Sequence, residues 1–164
     1  MESALEEGKV RAIGLSNFQP DRVMDLMLLN EVPPAVNQIE TNPFQQQAAA
    51  HAFLQENRIQ MEAWAPFAEG RNNLFSNPTL TQIASKHGRS VAQVVLRWLL
   101  QREVVSLSKS VRKERMAENL DVLGFALGAE EMREIGRLDT KSSSFFDHRD
   151  PEMVKRLVTR KLDL

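Results

Sequence analysis

Short apolar segments alternate along this chain with segments in which apolar residues recur every three or four positions. The short segments predict four strands, at residues 10–15, 35–40, 59–64 and 104–107. The longer segments predict helices over residues 46–56, 91–101, 113–121 and 129–138, and further helices that begin at Pro20, Pro78 and Pro151. Proline suits the first turn of a helix because its missing N–H has no intrahelical acceptor there.

Strands that alternate with helices are typical of parallel sheets with crossover helices, so the α/β class is predicted. The number of strands fits a doubly wound sheet of four strands as well as part of a barrel. No G-x-G-x-x-G follows any strand, and Gly14 lies inside one, so a Rossmann fold has weak support. Because no low-complexity linker interrupts the 164 residues, a single domain is predicted over 1–164.

The composition excludes several classes of function. The formal net charge is -1 with no basic block, so nucleic-acid binding has no electrostatic support. No apolar run is long enough to span a bilayer, and no signal peptide is expected at the N-terminus. Without cysteine the chain needs no oxidising compartment, and the cytoplasm is expected. The three histidines lack ligand spacing, so no metal site is expected. There is also no tyrosine.

Polar and aromatic residues stand where the first three predicted strands end. Ser16, Asn17 and Gln38 belong to the first two ends, and Trp64 belongs to the third. Ligands of parallel α/β sheets bind beyond these ends. Neutral hydrogen-bonding side chains beside a flat aromatic suit an amide-bearing planar heterocycle. On the residues alone, helix caps and a core tryptophan are the more common explanation.

A second cluster follows the fourth predicted strand and consists of Lys109, Ser110, Arg112, Arg115 and Asn119. The first turn of a helix attracts anions through its unpaired N–H groups and its dipole. Cations in that turn therefore indicate a phosphate between them and the helix. A solvated basic face, with Glu114 and Glu118 as local partners, explains the same residues equally well.

Five segments stand in a specific order: GKVRAIGLSNF at 8–18, VNQIE at 36–40, EAWAPF at 62–67, VAQVVLRW at 91–98 and SKSV at 108–111. Together they resemble the C-terminal half of an aldo-keto reductase over essentially the whole chain. The segment 145–151 is similar to bacterial diketogluconate-reductase-like members. The resemblance implies a TIM (β/α)8 barrel that binds NADPH without a Rossmann fold, with this chain covering only the C-terminal half.

The resemblance also implies roles for individual residues. Ser16, Asn17 and Gln38 match positions that hold the nicotinamide carboxamide, and Trp64 matches the aromatic that stacks on the ring. Ala65 and Phe67 match the start of a loop along the pyrophosphate. The positions that match the 2′-phosphate site are Lys109, Ser110, Val111, Arg112 and Arg115. Glu118 and Asn119 match positions near the adenine.

The resemblance further implies that something is missing. The family reduces a carbonyl with an Asp, a Tyr, a Lys and a His from its first four strand–helix units, so no catalytic residue is expected here and the chain looks truncated. One hypothesis is the NADPH-binding half of a reductase, which acts on a small carbonyl substrate only with an N-terminal half-barrel as partner. The other is a non-catalytic half-barrel that self-associates, as in a homodimer, and binds nucleotide weakly or not at all. The sequence indicates no particular substrate.

Overall fold

The computed structural model describes residues 1–161. Its four strands form one parallel sheet and are β1 (Gly14–Ser16), β2 (Val36–Glu40), β3 (Gln60–Trp64) and β4 (Val105–Ser106). The predicted α/β class with parallel strands is therefore confirmed. The strand order β1-β2-β3-β4 follows the sequence. A doubly wound sheet reverses its order at a switch point, so this order over the described residues favours part of a barrel.

The helices of the described residues are α1 (Glu2–Glu6), α2 (Pro20–Leu29), α3 (Ala48–Glu56), α4 (Pro78–His87), α5 (Val91–Gln101), α6 (Lys113–Leu120), α7 (Ala129–Gly136) and α8 (Pro151–Thr159). The predicted starts at Pro20, Pro78 and Pro151 are confirmed. Between β3 and α4, the segment Ala68–Ser76 consists of short 3-10 turns joined by residues with positive φ. The connection is therefore a folded loop at the carboxyl end of β3.

The strands begin later than predicted, and for β3 and β4 this is because the apolar residue before each strand is still bonded to the preceding helix. The N–H of Ile59 donates to the Leu54 carbonyl at 2.9 Å, and the N–H of Val104 donates to the Leu99 carbonyl at 3.0 Å. Both Ile59 and Val104 are buried in the core. Their apolar character comes from packing rather than from pairing in the sheet.

The two faces of the sheet carry different side chains. Ile39, Met61 and Ala63 belong to the hydrophobic core formed with the helices, in which Trp98 is among the largest fully buried side chains. Side chains alternate between the faces of a strand, so Gln38 and Glu62, with their neighbour in register Ser16, lie on the other face. That face is polar where β1, β2 and β3 adjoin.

Among residues 1–161, no helix is both long and apolar enough to cross a membrane. The same residues contain no group of three or more His, Asp or Glu side chains that could hold a metal ion.

Candidate functional site

One row of polar residues crosses the carboxyl half of the sheet. Ser16 is paired in register with Gln38, and Gln38 is paired in register with Glu62. Asn17 follows β1 in the left-handed conformation, with φ 62°. Its N–H donates to the Gln38 carbonyl at 2.9 Å, which fixes it beside the row. The structure therefore brings together the three neutral side chains expected at this end of the sheet.

Trp64 fixes the orientation of the Asn17 amide. The indole N–H of Trp64 donates to Asn17 Oδ1 at 2.7 Å, and Asn17 Nδ2 donates to Ser16 Oγ at 3.2 Å. An indole N–H is a donor only, so the oxygen of the amide must face Trp64 and its nitrogen must face Ser16. The Ser16 hydroxyl accepts in this contact and keeps its own proton to donate. The carboxyl end of the sheet around Ser16, Asn17, Gln38 and Trp64, which we call the mouth of the sheet, thus presents hydrogen-bond donors from Ser16 and Asn17.

Residues of the C-terminal segment cover the ring of Trp64. The Phe145 ring lies 5.1 Å from the Trp64 ring, centroid to centroid, at an interplanar angle of 54°. The His148 ring lies 6.3 Å from Trp64 in an edge-on arrangement. Burial lowers the pKa of His148, although the negative charges of Glu40 and Asp147 oppose that shift. At neutral pH this imidazole is therefore an uncharged ring packed against an aromatic one.

Glu40 and the loop after β3 hold this segment in place. The carboxylate of Glu40, which is 3% exposed, accepts hydrogen bonds from the Ser143 hydroxyl and, at 3.0 Å, from the Ser144 N–H. Arg71 donates to the Ser144 carbonyl at 2.6 Å and lies over the Phe145 ring at 4.3 Å. Contacts from both β2 and the loop therefore keep Phe145 on Trp64.

The loop after β3 leads from Trp64 to a second cleft. Ala65 has φ 47° and its carbonyl accepts from the Ala68 N–H at 2.8 Å. The Phe67 ring packs on Phe75 at 5.8 Å. Both phenylalanines line the second cleft. Ala65 and Phe67 thus lie on one continuous segment between the two parts of the candidate site.

The second cleft has a volume of about 390 Å³ and contains much of the cluster predicted after the fourth strand. Its lining includes Lys109, Ser110, Arg115, Glu118 and Asn119. The predicted residues Val111 and Arg112 do not line it, and Val111 is 80% exposed. The structure therefore brings together five of the seven residues predicted there.

The start of α6 leaves its positive charges unpaired among the described residues. No ion pair within residues 1–161 involves Lys109, Arg112 or Arg115, so the expected local partners Glu114 and Glu118 do not neutralise them. The N-terminal turn of α6 has no side-chain cap. Cations beside uncapped N–H groups form an environment in which an anion is stabilised.

Two carboxylates near Trp64 were missed as site residues. Glu62 accepts a hydrogen bond from Gln38 Nε2 at 3.1 Å, and Glu40 holds the C-terminal segment. Glu62 stands two positions before Trp64 on the same strand, so the period of two would have placed it on the face of Trp64. The bonds of Glu40 to Ser143 and Ser144 join residues more than a hundred positions apart, and no local pattern signals them.

Comparison with known proteins gives the family. The sequence model of the aldo/keto reductase family matches residues 1–140, and the chain belongs to that family. A glyoxal reductase of Bacillus subtilis (strain 168) is 43% identical over 139 residues, which cover 85% of this chain and 50% of that protein. A morphine 6-dehydrogenase of Pseudomonas putida is 42% identical over 153 residues, 85% of this chain and 51% of that protein. The chain spans about half the length of these curated relatives.

Solved structures agree on the fold. The aldo-keto reductase MGS-M4, from a Medee basin deep-sea metagenome library, superposes with a TM-score of 0.87 at 40% identity, over 91% of this chain and 55% of that chain. The silkworm (Bombyx mori) aldo-keto reductase AKR2E5 complexed with NADPH gives a TM-score of 0.83 at 34% identity, over 88% of this chain and 47% of that chain. The four strands are therefore part of a TIM barrel, as the resemblance implied.

Proposed function

We propose that this chain is the NADPH-binding half of an oxidoreductase that reduces aldehydes or ketones to alcohols. The observation that carries the proposal is the match between the mouth of the sheet and a nicotinamide carboxamide. Ser16 and Asn17 offer donors for the carboxamide oxygen, and Gln38 offers an acceptor for its NH₂ group. Trp64 supplies an aromatic face beside them. The crystallisation of a related reductase with NADPH supports the same cofactor.

The second cleft suits the phosphorylated end of the same cofactor. Lys109 and Arg115 line it at the uncapped start of α6, and charge-assisted hydrogen bonds to phosphate are the stronger class. Glu118 and Asn119 would then lie near the adenine, and Ala65 and Phe67 along the pyrophosphate. Arg112 and Val111 belong to the same loop but do not line the cleft. Arg112 would contribute positive charge near the phosphate, and Val111 would contribute backbone groups.

When bound, NADPH would supply a hydride to the carbonyl carbon of a substrate. The residues of this chain would orient the nicotinamide and fix the phosphates, which is a positioning role. The carbonyl oxygen needs a proton, and the family's phenol donor is not available because residues 1–164 contain no tyrosine. We therefore propose that turnover needs an N-terminal half-barrel as partner, and that the isolated chain is inactive.

A second candidate is a non-catalytic half-barrel that self-associates and binds nucleotide weakly or not at all. It is favoured by the outer edges of β1 and β4, which pair with no strand in the described part of the chain. The Phe145 ring on Trp64 also favours it, because that ring covers part of the aromatic surface that the proposed nicotinamide would need.

Titration of the chain with NADPH and with NADH, followed by tryptophan fluorescence, separates the two candidates. We expect tighter binding of NADPH, and an Arg115→Ala variant should weaken NADPH by about 10-fold or more while leaving NADH unchanged. Arg112→Ala is the matched control, since Arg112 does not line the cleft, and it should have a smaller effect. Equal affinity for the two cofactors would remove the phosphate assignment, and the absence of any binding would support the second candidate.

A further inference from the structure

The orientation of the Gln38 amide is determined by its neighbour on β3. Gln38 Nε2 lies 3.1 Å from Glu62 Oε2, and the two residues are directly paired across the β2–β3 ladder. A carboxylate only accepts hydrogen bonds. The amide must therefore turn its NH₂ group toward Glu62, and its Oε1 atom away from it.

This orientation leaves an acceptor at the mouth of the sheet. Within residues 1–161 no donor is hydrogen-bonded to Gln38 Oε1, and the atom is not a buried unsatisfied one. If the amide were turned over, its oxygen would face the carboxylate of Glu62, which is repulsive. Its NH₂ group would then join the donors of Ser16 and Asn17. Such a mouth would offer donors alone, and a carboxamide NH₂ would find no acceptor.

We infer that Glu62 is a positioning residue for the cofactor: by holding the Gln38 NH₂ group, it makes Gln38 Oε1 the acceptor for the carboxamide NH₂. Trp64 orients the Asn17 amide the other way, with its oxygen held by the indole N–H and its NH₂ group available as a donor. Glu62 and Trp64, both on β3, therefore set one acceptor on Gln38 and two donors on Ser16 and Asn17. The inference rests on the proposed function, because it concerns the same nicotinamide site. It adds that selectivity for the amide group, rather than affinity alone, depends on a carboxylate that does not touch the cofactor.

The consequence can be measured with a cofactor analogue. In 3-acetylpyridine adenine dinucleotide phosphate a methyl group replaces the carboxamide NH₂, so the analogue cannot donate to Gln38. The unsubstituted chain should bind NADP⁺ about 3- to 10-fold more tightly than this analogue, the value of one hydrogen bond. Glu62→Met, which keeps the side-chain length but removes the acceptor, should bring that ratio close to one. Glu62→Gln should give an intermediate ratio.

A matched control lies at the opposite end of the strands. Glu103 accepts a hydrogen bond from the side chain of Gln55 at 3.3 Å, just before β4 begins. Glu103→Met removes an equivalent Gln–Glu pair outside the site and should leave the ratio unchanged. The side-chain amide resonances of Gln38 in the cofactor-free protein provide a readout independent of binding. They should shift in Glu62→Met and not in Glu103→Met, whereas those of Gln55 should do the reverse.

The outcomes separate the inference from the proposed function. If the unsubstituted chain binds neither dinucleotide, the proposed function fails and the inference fails with it. If it binds both and Glu62→Met weakens them equally, Glu62 is only structural and the inference is overturned while the proposed function stands. Unchanged Gln38 resonances in Glu62→Met would overturn the inference even where binding is intact.

Discussion

Phe145 packs on Trp64 with 5.1 Å between the ring centroids, and Arg71 lies 4.3 Å from Phe145 on the loop that follows Trp64. The partly exposed tryptophan is thereby shielded by a ring that lies 81 positions further along the chain. The other tryptophan, Trp98, is 1% exposed and lies in the core. Changes in the accessibility of tryptophan to solvent therefore report on Trp64.

Replacing the covering ring should expose Trp64. In Phe145→Ala, we expect a red shift of the tryptophan emission and a clear increase in quenching by acrylamide, because one side of the indole loses its cover. The control is Phe75→Ala, which removes a half-exposed ring that packs on Phe67 instead. Equal quenching in the parent chain and Phe145→Ala would show that the segment 143–148 does not rest on Trp64 in solution.

The chain alone should not oxidise NADPH in the presence of aldehydes or ketones. Hydride transfer without a proton donor leaves an alkoxide, which is very unfavourable, and no tyrosine is present to protonate it. The measurement is the absorbance of NADPH with several aldehydes, using protein from successive purification steps. Turnover that rises in proportion to the purity of the chain would contradict the prediction.

Much of the site could be predicted from the sequence because it depends on local order. Ser16 and Trp64 end their strands, Asn17 directly follows β1, and Gln38 lies two residues before the end of β2. Parallel strands bring their carboxyl ends to one edge of a sheet. The second cluster likewise follows from a strand end and the helix start next to it. The resemblance then supplied roles that spacing alone left open.

Other features depend on long-range pairing and could not be predicted. One such feature is the polar face of the sheet, on which Ser16, Gln38 and Glu62 lie in one row across β1, β2 and β3. The aliphatic residues between them, such as Ile39 and Met61, pack against the helices instead. Which of the two faces meets the helices depends on register, and an apolar run that includes helix-bonded residues does not reveal it.

Glu131 at the start of α7 should make stability depend on pH in the acid range. Burial tends to raise its pKa, but hydrogen bonds from Lys86, from the Gly128 N–H and from His87 lower it to about 2, from an ordinary 4.5. A lowered pKa adds stability that is complete above about pH 4.5 and is lost as the pH falls toward 2. The contribution at neutral pH is about 1–3 kcal/mol.

Urea unfolding of Glu131→Gln against the parent chain at several pH values tests this. The difference in free energy of unfolding should be full at pH 7 and should shrink between pH 4.5 and pH 2. Glu130→Gln is the matched control, because the carboxylate of Glu130 stands next to Glu131 in sequence but pairs with Arg133 at the surface, where ion pairs contribute little. A difference for Glu131→Gln that does not vary with pH would reject the assigned cause.

Gly14 is required by the close pairing of β1 with β2. A Cβ atom added there would lie 2.3 Å from Val36 Cγ2 and 3.0 Å from the Val36 carbonyl oxygen. Because part of that contact is backbone, Gly14→Ala should push the strands apart and destabilise the chain by about 1–3 kcal/mol. Gly136→Ala, at the end of α7 with nothing within 4 Å, should be neutral or slightly stabilising. Unfolding of both variants in denaturant provides the comparison, and equal stability would contradict the steric argument.

The last prediction concerns assembly, and we expect the chain to be at least a dimer in solution. The outer edges of β1 and β4 pair with no strand among residues 1–161, and closed barrels normally abolish such edges. Near the β4 edge, Val105 and Leu107 are 44% and 42% exposed. Each Å² of apolar surface removed from water stabilises an interface by about 25 cal/mol. Two copies related by a two-fold axis could pair β1 with β4 twice, because such an interface is self-complementary.

Light scattering and unfolding at several protein concentrations test the dimer directly, since unfolding that is linked to dissociation must depend on concentration. Val105→Lys places a charge on the open edge of β4 and should shift the population to monomers. Val158→Lys, on a highly exposed position of α8, is the matched control and should leave the dimer intact. A monomer whose cooperative unfolding is independent of concentration would reject the dimer. Dissociation by Val158→Lys but not by Val105→Lys would instead move the interface to α8.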